Sequence, residues 1–485
     1  MIVHKFGGTS VGDAGRFANV AQIIIDHQHR EGAPSGGVAV VVSAMKGVTN
    51  ALIAGARAAA EGEDAVYREI KAALLSKHLE VVGALLGHSP ERLDVGGLVE
   101  DRLHELERLY RSIAVLGELT VRGCDAVASL GEQLSSSILA AVLRDRGVRA
   151  QAVSATELIV TDDNFGAANP LIEPTRQRLR QRVAPLVERG VIPVITGYIA
   201  ATEQGITTTL GRNCSDYTAA LVGAGLGADE VWIWSDVNGI LTADPNIVPQ
   251  ARTLSELSYA EAAELAYYGA DVLQPKTLRA VTEGRISLRI VNSFDPAHPG
   301  TLIVGVPSAD RERLPAIIST TGLSMIAVGT EDDSWTLDMS ARVLQILSEV
   351  SVDVLMFSQS FSEHNLNLVV REQDQAHCLN ALCREFGGDP GQPVGRGSER
   401  ITLRRLGNGC SLGTQERVAT VSVVGVPGWG EAGIVPHAFA ALGECGTRVI
   451  AVAQAASEYS ASFCVPEDQV AEAVRYLHHK LGLEG

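Results

Sequence analysis

Paired cysteines, long apolar runs and an excess of basic charge are all missing from this 485-residue chain. The seven cysteines (Cys124, Cys214, Cys378, Cys383, Cys410, Cys445 and Cys464) are scattered, odd in number and nowhere spaced as CxxC. That argues against structural zinc or a disulfide framework and fits a reducing cytoplasm. No apolar run reaches the ~18 residues of a membrane span. The apolar stretch Ile2–Phe6 follows Met1 directly, so no signal peptide is expected. Acidic residues outnumber basic ones 57 to 40, for a formal net charge of −17. This argues against nucleic acid or an anionic membrane as the main partner. Anionic small substrates stay possible, because a cationic pocket can sit in an acidic protein. Two phosphate-binding signatures are also missing: GxxxxGK[ST], and GxGxxG in a dinucleotide context.

What is present is ordinary globular composition, 46% hydrophobic and 20% charged. At about 150 residues per domain the length suggests roughly three domains. Short β-branched runs recur at Val38–Val42, Val191–Thr196, Val231–Trp234 and Ile286–Val291. Amphipathic segments lie between them. One carries Val99, Leu103, Leu106, Leu109, Ile113 and Leu116, another Val66, Ile70, Leu74, Leu79 and Val82, both at helical spacing. Strand–helix alternation predicts an α/β domain with a mainly parallel sheet covered on both faces.

Pro296, Pro299, Pro307 and Pro315, with the charge cluster Asp310–Arg313, place a linker at about 305–316. Beyond it the pattern becomes short α+β units. Strands are predicted at Ala316–Val328, Val352–Phe357 and Asn365–Val370, with a helix at Ser340–Val350. After a Gly/Pro-rich loop, Gly387–Gly397, strands at Val418–Val424, Val449–Ala453 and Ala461–Val465 surround a helix at Ile434–Leu442. Gln359-Ser360-Phe361-Ser362-Glu363 and Gln454-Ala455-Ala456-Ser457-Glu458 share Gln-x-x-Ser-Glu at strand ends, as a duplicated unit would. The expected domains are 1–305, 316–400 and 415–485.

Three polar loops carry the chemistry. The first is Lys5-Phe6-Gly7-Gly8-Thr9-Ser10-Val11-Gly12. Its adjacent glycines admit a ligand close to the backbone, and Thr9 or Ser10 can cap the following helix. A helix N-terminus there suits phosphate, and Lys5 could meet a transferring phosphoryl group. The second is Ser43–Asn50, straight after a valine-rich strand. The third is Thr207–Tyr217, which combines hydroxyls, Arg212 and Asp216 ahead of an apolar helix, Thr218–Leu226. Three such loops at strand ends in one sheet point to a ligand at the carboxyl edge.

Lys5–Gly12, Ser43–Asn50, Gly131-Glu132-Gln133-Leu134-Ser135-Ser136, Thr208–Tyr217, Ser235–Pro245, Ser258–Pro275 and Asn292–Leu302 occur in this order. Together they resemble the aspartokinases of the amino-acid kinase family, and the tail repeat resembles that family's paired ACT domains. The resemblance covers essentially the whole chain. It implies a three-layer α/β/α catalytic domain followed by two βαββαβ-like ACT domains. The implied activity is ATP- and Mg²⁺-dependent phosphorylation of the L-aspartate β-carboxylate to 4-phospho-L-aspartate, on the way to lysine, threonine and methionine.

By the same resemblance, Lys5 stabilises the phosphoryl group and Gly7, Gly8 and Ser10 line its path. Arg212 pairs with the substrate α-carboxylate and Glu132 with its ammonium. Ser43, Thr49 and Ser215 donate to substrate oxygens, and Asp216 orients Lys5 or helps place the metal. Plainer readings stand beside these: Ser43 and Thr49 as helix caps, Glu132 as a first-turn carboxylate, Arg212 and Asp216 as a surface ion pair. Ser235, Asp236, Leu241, Asn246 and Asp271 fall on nucleotide-facing positions. Three of these depart from the family pattern. Leu241 replaces an aromatic residue, Asn246 an arginine and Asp271 a lysine, so weakened ATP binding or a different donor is expected unless Lys46, Lys276 or Arg279 compensates. Cys214 beside the third loop reads as a packed side chain or a reactive thiol.

In the tail, Gln359, Ser362 and Glu363, or Gln454, Ser457 and Glu458, are implied to lie near an amino-acid effector, lysine or threonine. Homodimers or larger homo-oligomers through the ACT domains are implied as well. Two alternatives stay open: a paralogue with another amino-acid substrate or phosphoryl donor, and a catalytically weak amino-acid sensor.

Overall fold

Every residue of Val38–Val42 is buried, as a central strand covered on both faces must be. The computed structural model describes the chain except residues 30–36, 212–213, 268–272, 313, 331–334, 361–363, 388–394, 399–400, 407–409, 426–433, 455–459 and 485. In chain order the elements up to Val304 are β1 (Ile2–Phe6), α1 (Ala14–His29), β2 (Val38–Val42), α2 (Val48–Ala60), α3 (Asp64–Leu86), α4 (Pro90–Leu116), α5 (Val121–Ala128), α6 (Leu130–Asp145), β3 (Ala150–Val153), β4 (Val160–Thr161), α7 (Ile172–Arg182), α8 (Ala184–Glu188), β5 (Ile192–Thr196), β6 (Ile199–Thr202), β7 (Thr207–Thr209), α9 (Ser215–Leu226), β8 (Glu230–Ser235), β9 (Glu256–Ser258), α10 (Tyr259–Tyr267), α11 (Pro275–Gly284), β10 (Ser287–Asn292) and β11 (Thr301–Val304). There follow β12 (Ala316–Thr330), α12 (Leu337–Glu349), β13 (Met356–Ser360), β14 (Asn365–Arg371), α13 (Glu372–Phe386), β15 (Gly395–Ser398), β16 (Ile401–Arg405), β17 (Cys410–Val424), α14 (Val435–Glu444), β18 (Ala451–Gln454), β19 (Ser460–Pro466) and α15 (Val470–Lys480).

Among the described residues the chain divides into two compact units. The first comprises 1–240, 253–262 and 272–311, the second 241–252, 263–271 and 312–485.

The first unit is built on a sheet of order β3-β5-β2-β1-β8-β10-β11-β9, parallel from β3 through β10. The antiparallel β10–β11 pairing interrupts that run. Registers align Phe6 with Val42 and Trp234, Val42 with Thr196, and Asn292 with Ser235. The carboxyl ends of these strands therefore share one edge, which is what lets separate loops converge. The predicted helical stripe lies on α4, where Val99, Leu103, Leu106 and Ile113 are buried. Ser89 caps that helix by accepting from Glu91 N, Pro90 takes the first turn, and Gly117 ends it at φ 68. Leu116 and Val66 are exposed at helix ends, where the stripe has run past its packing partners. Val121–Asp145 is long and apolar enough to cross a membrane, and its apolar stretch is mostly buried inside the unit.

Three expectations need correcting. Thr207–Thr209 is itself a strand, in a small sheet β4-β6-β7, so the third loop does not follow a strand of the main sheet. Threonine's β preference and the bond from Thr209 Oγ1 to buried Asp125 (2.7 Å) hold it there. Neither Thr9 nor Ser10 caps α1; Asp13 does, its carboxylate accepting from Arg16 N at 3.0 Å. Arg311 is not a linker residue. Its guanidinium is 8% exposed and pairs with Glu261 at 2.7 Å within the first unit.

In the second unit β12 and β17 run antiparallel as long partners. The far half of β12 pairs with β14, and the far half of β17 with β19. Each end has its own core. One gathers Val343, Ile346, Leu368 and Leu382, the other Ala438, Leu442, Phe463 and Leu477. Gln359 in β13 and Gln454 in β18 each follow a helix and pair with the next strand, so the sequence repeat is a repeat of structure. The predicted strand at 352–357 begins only at Met356, and the end of the Gly/Pro-rich loop is strand β15, paired with β16.

Candidate active site

β1 ends by delivering Lys5 and Phe6 to the shared edge, and the chain then turns through Gly7 and Gly8. A Cβ on Gly8 would stand 2.9 Å from Ala44 O, so only glycine fits this approach of the first two loops. Backbone bonds lock them together: Ser43 N to Phe6 O and Lys46 N to Gly8 O, each 3.1 Å. Gly47, at φ 82, precedes α2, and no side chain caps that helix. The half-buried Thr49 is therefore not a cap, and the half-buried Ser43 lies in the loop before it.

From the other side α6 brings Glu132, which is 3% exposed. Its Oε1 accepts from Ala44 N at 3.2 Å, and its Oε2 has no hydrogen-bond partner among the described residues. Burial raises its carboxyl pKa to about 8. A proton or a cation must meet that oxygen, and a substrate ammonium is chemically suited to do so.

α9 supplies Ser215 and Asp216 in its first turn. The Asp216 carboxylate lies 2.5 Å from Lys5 Nζ, and both side chains are mostly buried. Ser215 is buried against Gly197, where a Cβ would come within 2.6 Å of Ser215 Oγ. Cys214 Sγ donates to Gln274 Oε1 at 3.5 Å, and burial raises its thiol pKa, in keeping with a packed side chain. Arg212 lies outside the described residues, as do Asp271, Ser362, Glu363, Ser457 and Glu458.

On the β8–β10 side, Ser10 Oγ lies 2.9 Å from Ser293 Oγ, and Ser293 Oγ donates to Ser235 O at 3.0 Å. Asp236 is exposed, its Oδ1 accepting from Ser235 Oγ at 3.2 Å. The first unit thus brings together Lys5, Gly7, Gly8, Ser43, Glu132, Ser215 and Asp216, and ties Ser10 to Ser235. Leu241 and Asn246 belong to the second unit. Gln359 is partly exposed and Gln454 exposed at their strands.

Sequence reasoning passed over two neighbours of the site. Tyr198 follows β5 at φ 67, an uncommon conformation for a non-glycine, with its N–H bonded to Thr218 Oγ1 at 3.0 Å. Ser293, just past β10, joins Ser10 to Ser235. The available signal was positional, since both follow strands of the same parallel sheet. Among the described residues no group of three His, Cys, Asp or Glu side chains is placed to hold a metal by itself.

Residues 1–292 match the model of the amino acid kinase family, and residues 335–386 and 421–481 match a model of the ACT domain. Chloroplastic aspartokinase 1 of Arabidopsis thaliana is 32% identical over 485 residues, covering 98% of this chain and 79% of that protein. The bifunctional aspartokinase/homoserine dehydrogenase of Haemophilus influenzae is 28% identical, covering 99% of this chain and 56% of that protein. The chain thus spans little more than half of that bifunctional relative. Among solved structures, E. coli aspartokinase III with aspartate and ADP superposes with a TM-score of 0.77 at 27% identity, over 99% of this chain and 100% of that one. The same enzyme with lysine and aspartate gives 0.76 at 27% identity, over 99% of each chain.

Proposed function

Because the chain belongs to the amino acid kinase family and, within it, to the aspartokinases, we propose that it transfers the γ-phosphoryl group of ATP to the β-carboxylate of L-aspartate, forming 4-phospho-L-aspartate. One observation carries the residue-level reading. A buried ammonium, Lys5, and a buried carboxylate with an unpartnered oxygen, Glu132, are held by the two loops that meet at Gly8 and Ala44.

The chemistry needs little else. The substrate carboxylate is already a nucleophile, so no general base is required. The obstacle is repulsion between that anion and the γ-phosphate, and positioning with cationic stabilisation overcomes it. Glu132 takes the substrate ammonium and thereby orients the β-carboxylate. Ser43, Thr49 and Ser215 donate to its oxygens. Lys5 leaves Asp216 in part to meet the phosphoryl oxygens as charge develops, and Asp216 returns the ammonium to its resting position. Arg212 is assigned the α-carboxylate, where a guanidinium fork is suited to bidentate binding.

Gly7, Gly8, Ser10 and Ser235 line the nucleotide side. Magnesium commonly keeps several waters and binds one or two carboxylates plus substrate phosphates. The exposed Asp236 would hold it, and the ion would neutralise phosphate charge.

The paired ACT domains supply amino-acid regulation in this reading, with lysine or threonine as effector. The lysine-bound E. coli structure and the repeated Gln359 and Gln454 positions support it. Assembly into homodimers or larger oligomers through these domains, and a cytoplasmic location, belong to the same proposal. The seven scattered cysteines, nowhere spaced as CxxC, fit that location.

The test is a coupled assay of ATP with L-aspartate, trapping the acyl phosphate with hydroxylamine. Hydroxamate should form with aspartate and not with glutamate, and should be lost in Lys5→Ala. Equal turnover of glutamate would reject the substrate. Activity curves with and without lysine and threonine test the effector.

A further inference from the structure

Asp125, in α5, is a buried acid for which the reaction above has no task. Its Oδ2 accepts from Gly166 N at 2.8 Å and from Thr209 N at 3.2 Å, and its Oδ1 accepts from Thr209 Oγ1 at 2.7 Å. Thr209 O accepts in turn from Ala168 N at 2.9 Å. One carboxylate thus staples β7 and the loop around Gly166 to α5. Burying a carboxylate is costly unless its oxygens are hydrogen-bonded. Here burial raises the pKa of Asp125, and the donors of Thr209 and Gly166 lower it.

Glu132 lies seven residues further on. Ser129, between α5 and α6, has helical dihedrals itself (φ −62, ψ −22), so the two helices run nearly as one. Seven residues make two turns, which puts both carboxylates on one face, about 10 Å apart along the axis. From Thr209 the connections continue to α9. Thr209 is paired with Ile199 of β6. Leu210 N donates to Tyr198 O at 3.0 Å, Tyr198 N to Thr218 Oγ1 at 3.0 Å, and Thr218 Oγ1 to Cys214 O at 3.2 Å. Gly197, beside Tyr198, is the residue packed against Ser215 Oγ. Burial raises the Tyr198 phenol pKa to about 12, and the charges of Glu132 and Asp125 add to the rise, so the phenol lies in the field of both carboxylates. Asp125 therefore couples the helix that carries Glu132 to the helix that carries Ser215, wholly within the first unit.

We propose that Asp125, acting through Thr209, is a positioning residue that sets the length of the amino acid accepted: it fixes the separation between Glu132, which takes the ammonium, and Ser215, which meets the side-chain carboxylate. This rests on the reading of Glu132 and Ser215 as substrate-binding. Aspartate and glutamate carry the same charged groups and differ by one methylene, so only a fixed span between the two ends tells them apart. A methylene is worth about 10–200-fold in discrimination when the pocket holds its shape. Loosening the span costs affinity for the short acid and admits the long one. The nucleotide is not held by this strap.

The experiment is steady-state kinetics on the full chain with aspartate and with glutamate, and a thermal melt for each variant. Asp125→Ala should raise KM for aspartate about tenfold, the scale of one lost bond to a charged group. The preference for aspartate over glutamate, as a ratio of kcat/KM, should fall about tenfold. KM for ATP should stay unchanged. Thr209→Val should act in the same direction and more weakly, since the two backbone bonds to Asp125 remain. Asp125→Asn should recover the preference, because its oxygen can accept from both N–H groups and its amide can donate to Thr209 Oγ1. Thr209→Ser should recover it as well. If Asp125→Ala does not fold, the Thr209→Val and Thr209→Ser pair decides. An unchanged preference, or a KM for ATP that rises with KM for aspartate as the melting temperature falls, would overturn the proposal. Glu132→Gln separates the two levels. If it leaves KM for aspartate untouched, the substrate-binding reading fails. If it raises KM while the Asp125 and Thr209 variants keep the preference, only the positioning role fails.

Discussion

Lys5 Nζ stands 2.5 Å from the Asp216 carboxylate, one residue at the end of the first strand and the other in the first turn of α9. In the resting protein each charge neutralises the other. A phosphoryl anion arriving beside Gly7 would compete with Asp216 for the ammonium, and a Cβ placed on Gly7 would lie 3.4 Å from Lys5 Nζ.

Lys5→Ala should therefore lower kcat by about 10²–10³-fold, the range for removing one transition-state donor. Asp216→Asn should cost less, because Lys5 keeps its charge. Hydroxylamine-trapped product formed per unit time measures both. Near-normal turnover in Lys5→Ala would remove the lysine from the mechanism.

Glu132 ties substrate binding to pH. With its carboxyl pKa near 8, the free protein holds it protonated at neutral pH, and binding an ammonium requires its ionised form. KM for aspartate should fall as pH rises towards 8 and release of one proton should accompany binding, seen by calorimetry in buffers of different ionisation enthalpy. Glu132→Gln should raise KM for aspartate and flatten this profile.

The same group affects stability in the opposite direction. The folded chain binds this proton more tightly than the unfolded chain, whose carboxyl has the ordinary value of 4.5. Its contribution is fully present below that value and is lost as pH rises through about 8. Thermal melts of Glu132→Gln should lack this loss, leaving the variant the more stable protein above pH 8.

Gly8→Ala should disturb the meeting of the first two loops, since the new methyl would press on Ala44 O. A destabilisation of about 1–3 kcal/mol is expected, as for other overpacked sites, with activity falling further than stability. Denaturant melts beside the kinetic assay check this. An active variant of unchanged stability would show that the loops have slack.

Arg311→Ala should destabilise the chain by about 3–5 kcal/mol, because it leaves the buried Glu261 carboxylate without its cation. Arg311→Lys should recover part of this. A linker arginine would give no change in melting temperature.

Much of the catalytic unit was legible as pattern. Alternating β-branched runs and helical stripes marked β2, β5, β8, β10, α3 and α4, and the polar loops marked the strand ends that carry Lys5 and Ser43 and the helix start that carries Asp216. Thr207–Thr209 was misread because three threonines look like loop in polarity and like strand in propensity, and only Asp125 settles the choice. Arg311 was misread because a charge beside prolines normally faces water; its partner lies 50 residues earlier in the chain.

Residue order alone determined which groups could take part: an ammonium before two glycines, a carboxylate opening a helix, and a Gln-x-x-Ser-Glu repeat in the tail. Local patterns carry that information because strand and helix periods are short. Folding decided the partnerships. It set Asp216 against Lys5 across 211 residues and His478 against Thr242 across 236, and it enrolled 241–252 in the second unit. Such contacts depend on which buried polar groups find partners once the cores close, and no short window of sequence contains both members.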